Sequence, residues 1–432
     1  MRRPVVSPGG GPPLSDPVDL TRVGVDDPED RPLGRSPMSG DHDNTAAPPL
    51  AGVRVLELGQ LIAGPTCGAL LASFGADVVK VEPPTGDPLR RWRSVGEGDS
   101  PWWRSLSRGK RLVTHDLRAP EGVAAVRQLA LAADLLIENF RPGTLERLGL
   151  DPADLRREKP ELIVVRVSGY GQDGPYRERP GFASVCEAFG GLRHVTGQPG
   201  EIPVRQNLSV GDTIAGWQAA IGALLALRAR DRDGLGQTVD ASIFESVFGL
   251  MEAALPEYDS GGGVRGPSGT TLTGIAGTNV YRCADGALVA IGANGDSIFR
   301  RLMVCIGRED IAEDPSVATN DDRLPRAEEF DAAIGAWCAR RPAAEVLTDL
   351  VAAAVPASKV NTVEDLAADP HARARGLFEE HEVDGRAIRF PAPRPRLDRT
   401  PAPRLPLPGE IGDDARSVDQ DWLGAGPASP DR

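Results

Sequence analysis

The sequence predicts an α/β fold in which a mostly parallel sheet is covered by helices on both faces. Short runs rich in valine, leucine and isoleucine recur between residues 50 and 170, and helix-like segments separate them. Strands buried on both faces have near-continuous apolar sequences, and their alternation with helices is typical of βαβ units. At 432 residues the chain is also long enough for two to three domains.

The predicted elements can be assigned in chain order. Residues 53–58 (VRVLEL) predict the first strand, and Gly64-Pro65 opens a helix over 64–75, because proline is tolerated in the first helical turn. Further strands are predicted at 77–82, 111–117, 134–140 and 162–170, and helices at 120–132 and 212–230. Asp285-Gly286 predicts the turn of a hairpin over 279–293, which a helix-rich stretch follows.

These elements indicate a large domain interrupted by a smaller one. Residues 1–48 are rich in proline, glycine and aspartate and lack apolar periodicity, so they are predicted to be a disordered extension, with translation starting at Met1 or Met38. The remaining segments are a large domain over 49–225, linker helices over 226–258, a small α+β domain over 259–350, a return to the large domain over 351–408 and a flexible tail over 409–432.

Composition and charge argue against several classes of function. The formal net charge of -13 disfavours general nucleic-acid binding. The longest apolar runs are shorter than a membrane span, and no signal segment opens the chain, so we expect a cytoplasmic protein. The five cysteines form no C-x-x-C pair and the five histidines show no ligand spacing, so we expect neither structural disulfides nor a metal site.

The turn after the first strand does not match a dinucleotide-binding motif. Its sequence, GQLIAGPTCG, lacks G-x-G-x-x-G, and no acidic residue occupies the position that would bind a ribose. No G-x-S-x-G elbow is present either, which disfavours a serine hydrolase. Residues 87–111 instead carry seven lysines and arginines and three of the six tryptophans. Two interpretations stay open: a solvated basic loop, or a phosphate-binding rim with aromatic walls for an acyl group.

Several blocks of the sequence resemble the class III CoA-transferase family (CaiB/BaiF type), which includes formyl-CoA transferase and carnitine CoA-transferase. They are PLAGVRVLELGQLIAGPTCGALLASFGADVVKVEPPTGD, SRGKRLVTHDLRAPEG, LLIENFRPGTLERLGL, VRVSGYGQDGPYRERPGF and SVGDTIAGWQAAIGALLAL. The similarity extends over about residues 50–400. It implies a Rossmann-like large domain whose sheet is formed from the N- and C-terminal parts of the chain, a smaller inserted α+β domain and an interlocked homodimer.

The resemblance also implies the activity, which is transfer of CoA from an acyl-CoA donor to a free carboxylic acid. The block GFASVCEAFGGLRHVTG is most similar to members that use small dicarboxylates such as succinate and malate. CoA and acyl-CoA are then substrates, and no cofactor is bound permanently. The implied partners are these substrates and a second copy of the chain, with neither nucleic acid nor a membrane.

Similarity to the family, position by position, implies CoA contacts at Leu61, Ile62, His115, Arg118, Asn139, Phe140 and Arg147. Loops at strand ends face the ligand crevice in such folds, and arginines bind phosphates, so these positions are physically reasonable. One position departs from the family: an arginine after the second strand is Pro83 here, and Arg90 or Arg91 is its candidate substitute. Trp92 and Trp102 match aromatic positions that wall the acyl pocket.

The nucleophile of the family is an aspartate in the turn that reads TGQPGEIPVRQ here, and the resemblance places it at Gly200. That carboxylate attacks the thioester, and covalent enzyme-carboxylate intermediates split one difficult transfer into easier steps. Three interpretations stay open for this chain: Glu201 is the nucleophile, displaced by one position; Glu187 serves instead; or the site is inactive and Glu201 is a solvated turn residue. We take Glu201 as the predicted catalytic residue.

A racemase of the same family is the alternative enzyme, and a catalytically inactive acyl-CoA-binding protein is the alternative to an enzyme. Racemases of the family pair a histidine with the aspartate that matches Asp212, but the histidine position is Phe182 here, and a phenyl ring cannot carry a proton. A transferase is therefore expected. Gly274 and Gly277 match a mobile glycine run that closes over the intermediate, or they form a plain turn.

Overall fold

Six parallel strands form the central sheet, in a computed structural model that describes residues 46–95 and 98–424. The strands are β1 (Arg54–Glu57), β2 (Asp77–Glu82), β3 (Lys110–Thr114), β4 (Leu135–Glu138), β5 (Ile163–Ser168) and β6 (Thr238–Ser242). Their order across the sheet is β3-β2-β1-β4-β5-β6. The order reverses between β1 and β4, and such a switch point opens a ligand crevice at the carboxyl ends of the strands. The predicted Rossmann-like sheet is confirmed.

Helices connect the strands and cover both faces of the sheet. They are α1 (Ala63–Ser73), α2 (Pro101–Ser107), α3 (Pro120–Ala132), α4 (Thr144–Arg147), α5 (Pro152–Glu158), α6 (Ala183–Phe189) and α7 (Val210–Asp233). Proline opens α2, α3 and α5, where its missing N–H costs nothing. In β1, Val55 belongs to the core under α1 and α7, and Leu56 to the core on the opposite face, because successive strand residues point in opposite directions.

Helix α7 is longer than the sequence pattern predicts. It spans 24 residues, and by length and composition it could cross a membrane, which corrects the expectation that every apolar run is too short. One face of α7, which includes Ala215 and Ala219, is buried in the core that α1 and the sheet also form. The opposite face exposes Trp217, Ile221 and Leu225. The helix is therefore a core element on one side only.

The predicted linker over 226–258 is wrong in two respects. Its boundary at 225 falls inside α7, and residues 238–242 form β6, which pairs with β5 at the edge of the central sheet. The sequence of β6, TVDAS, is mostly polar, because an edge strand buries only part of its surface. No apolar run therefore indicates a strand at this position. Helices α8 (Ile243–Phe248) and α9 (Ala254–Asp259) follow.

A second, antiparallel sheet forms the centre of the region after residue 277. Its strands are β7 (Thr278–Arg282), β8 (Leu288–Gly292) and β9 (Ala357–Lys359), and β7 and β8 form the predicted hairpin. Helices α10 (Asp296–Cys305), α11 (Glu309–Ala312), α13 (Ala327–Cys338) and α14 (Ala343–Ala352) share a separate core with this sheet, and the short helix α12 (Asn320–Arg323) lies between α11 and α13 in the chain. Because β9 pairs with β8, the predicted end of the small domain at residue 350 is too early. The division into two domains otherwise stays a prediction.

The C-terminal part contributes no strand to the six-stranded sheet, contrary to expectation. It comprises α15 (Val363–Ala368), α16 (Pro370–Ala374), a separate hairpin of β10 (Phe378–Val383) and β11 (Arg386–Pro391), and α17 (Ala415–Leu423). All six strands of the large sheet come from residues 54–242. The C-terminal part returns to the large sheet at β3, through α17 and through the hydrogen bond from the amide of Gly109 to the carbonyl of Pro406 at 3.0 Å.

The prediction of a flexible tail over 409–432 is wrong up to residue 424. Helix α17 packs on α3 and β3, with Val418 fully buried and Trp422 5% exposed. The indole N–H of Trp422 donates to the carboxylate of Asp77 at 2.7 Å, and the amide of Leu112 donates to Asp414 at 2.8 Å. Residues 425–432 and residues 1–45 of the predicted extension, which include Met38, lie outside the described residues.

Candidate active site

The turn that follows β1 is held across the switch point by the residue that follows β4. The side-chain oxygen of Asn139 accepts a hydrogen bond from the amide of Gln60 at 2.8 Å, and its NH2 group donates to the carbonyl of Gln60 at 2.8 Å. Leu61 has a φ of 62°, which is uncommon for a residue other than glycine. This predicted CoA-binding turn is therefore fixed in an unusual backbone conformation.

A buried ionic network lies directly under the same turn. The ammonium of Lys80, in the middle of β2, pairs with Glu57 at 3.1 Å and Asp87 at 2.9 Å and donates to the carbonyl of Gly59 at 2.7 Å. Asp87 in turn accepts the amide of Leu61 at 3.1 Å. Burial lowers the pKa of Lys80, but the carboxylates of Glu57 and Asp87 raise it more, so the pKa lies above its ordinary value. The charged network thus holds the turn at two backbone groups, the carbonyl of Gly59 and the amide of Leu61.

Arg90 and Arg91 are the two candidate substitutes for the arginine missing at Pro83, and Arg90 is already bound to acidic residues of the protein. The guanidinium of Arg90 is buried, pairs with Glu82 at 2.7 Å and Asp99 at 2.6 Å, and stacks 3.5 Å from the ring centroid of Trp103. Arg90 is therefore a structural residue. Arg91 is exposed and stays available for a phosphate.

A first pocket of about 290 Å³ opens at the carboxyl ends of β1, β2 and β4. It brings together three of the predicted CoA contacts, His115, Arg118 and Phe140. Apolar side chains, including Leu58, Val81 and Leu148, form much of its lining, so an aromatic base could lie flat there. Burial lowers the pKa of His115, with Asp419 of α17 opposing the shift. The unpredicted helix α17 therefore lies close to this pocket.

The other predicted CoA contacts occupy different surroundings. The side chain of Ile62 is buried in a small core with Leu89 and Trp103, so that only its backbone could reach a ligand. Arg147 is exposed and donates to the hydroxyl of Thr144 at 2.8 Å. It directly precedes Leu148, which lines the first pocket.

The predicted acyl-pocket residues Trp92 and Trp102 lie side by side. Their ring centroids are 6.4 Å apart. The indole of Trp92 is exposed, and the guanidinium of Arg93 lies 5.0 Å from the ring of Trp102. Trp92 is the exposed part of this aromatic pair and Trp102 is half-buried, and neither tryptophan lines the first pocket.

A second pocket of about 270 Å³ lies at the carboxyl ends of β4 and β5. It shares Phe140 with the first pocket and extends to Phe182, the residue before α6. The amide of Phe140 donates to the buried carboxylate of Glu138 at 2.7 Å, and Arg166 pairs with the same carboxylate at 2.7 Å. Phe140 is therefore held as the wall between the two pockets.

Asp212 lies in the first turn of α7, and it contacts the residue that follows Phe182 of the second pocket. Burial raises its pKa to about 6, a hydrogen bond from the backbone N–H of Ala183 opposes that shift, and the charge of Glu187 adds to it. Ala183 begins α6 directly after Phe182. The carboxyl group of Asp212 thus caps the start of α6, next to the position where the family's racemases carry a histidine.

Glu187, one candidate nucleophile, is fully buried and fully engaged. One of its oxygens accepts the amide of Gly211 at 3.1 Å, and the other lies 3.2 Å from Arg193 and 3.8 Å from Arg205. The residue therefore ties α6 to α7 and to the turn that contains Arg205. A carboxylate that is fully buried and held by an amide and two guanidinium groups is not presented to a substrate.

Glu201 lies in an open turn and is exposed. Gly200 has a φ of 79°, so glycine is favoured at the position of the family's aspartate, and the acid follows at position 201. The turn contacts the connection before β7, because the amide of Gly269 donates to the carbonyl of Gly197 at 2.9 Å. Glu201 lines neither pocket of this single chain. The structure therefore does not bring it together with the predicted CoA contacts.

The loop with Gly274 and Gly277 is tied to the second core. Both glycines have positive φ, at 79° and 82°. The side chain of Asn320 donates to the carbonyl of Gly274 at 2.8 Å and accepts the amide of Ala276 at 3.1 Å. A closing motion of this loop would have to break these two hydrogen bonds.

Two features of the site were missed from the sequence. One is the buried network around Lys80, although charged residues inside apolar strands are a signal for buried ion pairs. The other is a group of arginines in the second pocket, Arg141, Arg177 and Arg179. These arginines follow two different strands, and no local pattern indicates that they meet.

The chain belongs to CoA-transferase family III, whose family model matches residues 50–414. Members of this class move CoA from an acyl-CoA to a free carboxylic acid, so the predicted family and reaction class are confirmed. A structure of a CaiB/BaiF family protein from Brucella suis superimposes with a TM-score of 0.77 at 30% identity, covering 87% of this chain and 100% of that one.

Several relatives of this chain have names that specify the acids on which they act. The chain is 44% identical to a succinyl-CoA–D-citramalate CoA-transferase from Chloroflexus aurantiacus, over 87% of this chain and 94% of the relative. It is 38% identical to the beta subunit of a succinyl-CoA–L-malate CoA-transferase of the same organism, over 88% and 95%. A succinate–glutarate CoA-transferase from Agrobacterium fabrum is 35% identical, over 79% and 87%.

Proposed function

We propose that this protein transfers CoA between small dicarboxylic acids, with succinyl-CoA or a similar thioester as the donor. The observation that carries this proposal is the 44% identity to a relative named for succinyl-CoA and D-citramalate, over nearly its whole length. Relatives named for malate and glutarate support the same substrate class. The relatives are named for different acids. The proposal therefore specifies small dicarboxylic acids as the substrate class and does not specify one acceptor.

The two adjoining pockets support a path for CoA. The apolar first pocket suits the adenine ring, and Arg118, which is 86% exposed and pairs only with Asp116 among the described residues, is free to turn toward a phosphate. Arg91 is the remaining candidate for the position lost at Pro83. The pantetheine arm would then cross Phe140 and place the thioester in the second pocket.

The proposed chemistry passes through two covalent forms of Glu201. Its carboxylate attacks the thioester carbon, the C–S bond breaks, and a mixed anhydride and the CoA thiolate result. The thiolate attacks the glutamyl carbonyl of the anhydride, which releases the donor acid and leaves a glutamyl-CoA thioester. The acceptor carboxylate attacks this thioester, and the thiolate then takes the acceptor acyl group and restores free Glu201.

Three observations support Glu201 over Glu187 as the nucleophile. Glu187 is fully buried and bound by two arginines and an amide, whereas Glu201 is exposed. The positive φ at Gly200 explains why the acid has moved by one position. The turn of Glu201 is also linked to α6, which begins directly after the pocket residue Phe182, since Arg205 pairs with Glu187 at 3.8 Å.

Intact-mass measurement after incubation with succinyl-CoA tests this mechanism. The wild-type protein should gain the mass of CoA less one water, and hydroxylamine should remove the adduct. Glu201→Gln should form no adduct and lose transferase activity, whereas the exposed control Glu161→Gln should behave like the wild type. An adduct that persists in Glu201→Gln would disprove this assignment, and tight CoA binding without an adduct in the wild type would favour a binding protein.

A racemase is the second candidate, because burial raises the pKa of Asp212 to about 6, a useful range for a general base. Its usual partner position holds Phe182, which is exposed and cannot exchange a proton. Incubation of a 2-methylacyl-CoA in deuterated water distinguishes the two reactions. A transferase leaves the α-hydrogen in place, whereas a racemase replaces it with deuterium.

We further propose a homodimer. Large apolar side chains on α6, α7, α8 and α9 are about half exposed or more, and they include Phe189, Trp217, Ile221, Leu225, Phe248 and Tyr258. Helices α6, α7 and α8 pack on one another, and exposed apolar surface on neighbouring helices is typical of a protein interface. An interlocked arrangement would cover it and would bring a second chain close to the turn of Glu201.

A further inference from the structure

The second pocket carries a concentration of positive charge that the proposed nucleophile and CoA contacts do not use. Arg141 follows β4, and Arg177 and Arg179 follow β5, and all three line the same 270 Å³ pocket. The remaining lining consists largely of apolar side chains and glycines, including Phe140, Val167 and Phe182. A pocket of this size with convergent arginines is suited to a small anion.

Arg179 is held in place by aromatic packing. Its guanidinium lies 3.4 Å from the ring centroid of Tyr176, and its amide donates to the carbonyl of Tyr176 at 2.8 Å. Tyr176 packs edge-on against Tyr170 and Phe189, at centroid distances of 6.3 Å and 5.8 Å. An arginine that stacks on such a platform is already oriented before a ligand binds.

The positive charges of the three arginines are hardly neutralised by the acidic residues that the structure describes. Arg141 and Arg179 form no ion pair with any acid in residues 46–95 or 98–424, and Arg177 reaches only its neighbour Glu178, at 3.4 Å on the surface. Other arginines of the site, such as Arg90 and Arg166, are saturated by carboxylates. The positive charge of the second pocket is therefore available to a substrate.

The position of the pocket relates this charge to the reacting group. It shares Phe140 with the first pocket, so a CoA whose base occupies the first pocket would deliver its acyl group to the second. At its opposite end, Phe182 directly precedes Ala183, whose amide donates a hydrogen bond to Asp212. The arginines thus lie where the distal end of the acyl group would be.

We infer that these arginines bind the free carboxylate of the dicarboxylyl group, with Arg179 as the specificity-determining residue. This inference rests on the proposed function, in which donor and acceptor are both dicarboxylates. A planar guanidinium can bind a carboxylate through two parallel hydrogen bonds, which a methyl group cannot replace. Since donor and acceptor occupy one site in turn, the same arginine should select both.

Kinetics of Arg179→Gln with succinyl-CoA and glutarate, and with butyryl-CoA and valerate, test the inference. The substitution should lower kcat/KM for the dicarboxylate pair by about ten- to a hundredfold, mainly through KM, because a hydrogen bond between charged groups is lost. Activity with the monocarboxylate pair and inhibition by free CoA should stay within about twofold, as neither involves the distal carboxylate. Arg179→Lys should recover part of the loss.

The exposed residue Arg157, which pairs with Asp154 on α5, provides the matched control. Arg157→Gln should leave all four substrates unaffected. Equal losses for dicarboxylates and monocarboxylates in Arg179→Gln, or no loss at all, would overturn the role of Arg179 and leave the proposed function standing. A wild-type protein that moves CoA among monocarboxylates only would overturn the proposed function itself.

Discussion

Replacing Lys80 with methionine is the sharpest test of the buried network under the first turn. Methionine has a similar length and fills the same space, so the change removes the charge and leaves the packing. The ammonium of Lys80 is 1% exposed and contacts Glu57 at 3.1 Å, Asp87 at 2.9 Å and the carbonyl of Gly59 at 2.7 Å. All three partners would lose a donor at once.

The size of the effect follows from what the partners retain. Removal of one member of a buried ion pair costs about 3–5 kcal/mol, because the other charge stays buried. Glu57 keeps Lys110 at 2.7 Å, and Asp87 keeps the amide of Leu61 at 3.1 Å. We therefore expect the lower end, a loss of about 3 kcal/mol in the free energy of unfolding. The lost bond to Gly59 should also weaken CoA binding about tenfold.

Urea unfolding at one fixed protein concentration measures this loss, with Lys359→Met as the control. Lys359 pairs with Asp365 at 2.7 Å on the surface, so the control should cost less than about 1 kcal/mol. The pKa of Lys80 is raised above 10.5, so its contribution is fully present below that pH and is lost only in stronger alkali. The loss should therefore be constant from pH 6 to 9. A cost for Lys80→Met no larger than that for Lys359→Met would refute the reasoning.

Three further predictions concern Asp212, Leu225 and Trp422. Burial raises the pKa of Asp212 from 3.8 to about 6, so its stabilising contribution is greatest below pH 3.8 and is lost as the pH rises through 6. Asp212→Asn should therefore be more stable than the wild type by about 3 kcal/mol at pH 8 and by only about 1 kcal/mol at pH 4.5, and an equal difference in the free energy of unfolding at the two pH values would contradict this. Leu225→Glu, at a residue 66% exposed on α7, should convert the proposed dimer to monomers in sedimentation experiments, and an unchanged mass would exclude this surface from the interface. Trp422→Ala should cost about 3–5 kcal/mol in urea unfolding, and a loss below about 1 kcal/mol would mean that α17 does not support the fold.

The sequence predicted most of the large sheet because its strands are locally encoded. Residues 77–82 and the helix over 120–132 have the predicted bounds, since apolar runs and an opening proline mark them directly. The strand β6 and the helix α17 were missed for the same physical reason. Each is polar over most of its length, and its few apolar side chains are buried only by contacts with distant parts of the chain.

The sequence by itself determined the alternation of strands and helices, the family blocks, and the glycine at position 200 followed by an acid. The tertiary structure decided which charges meet. Neighbouring strands align Lys80 and Lys110 with Glu57, and Asp87 completes a neutral network, whereas Arg141 and Arg179 converge at the ends of β4 and β5 without an ion pair to any described residue. Whether a charged side chain is paired inside the protein depends on the strand order and on burial, which local sequence patterns do not encode. Only the fold therefore distinguishes charges with a structural role from charges available to a substrate.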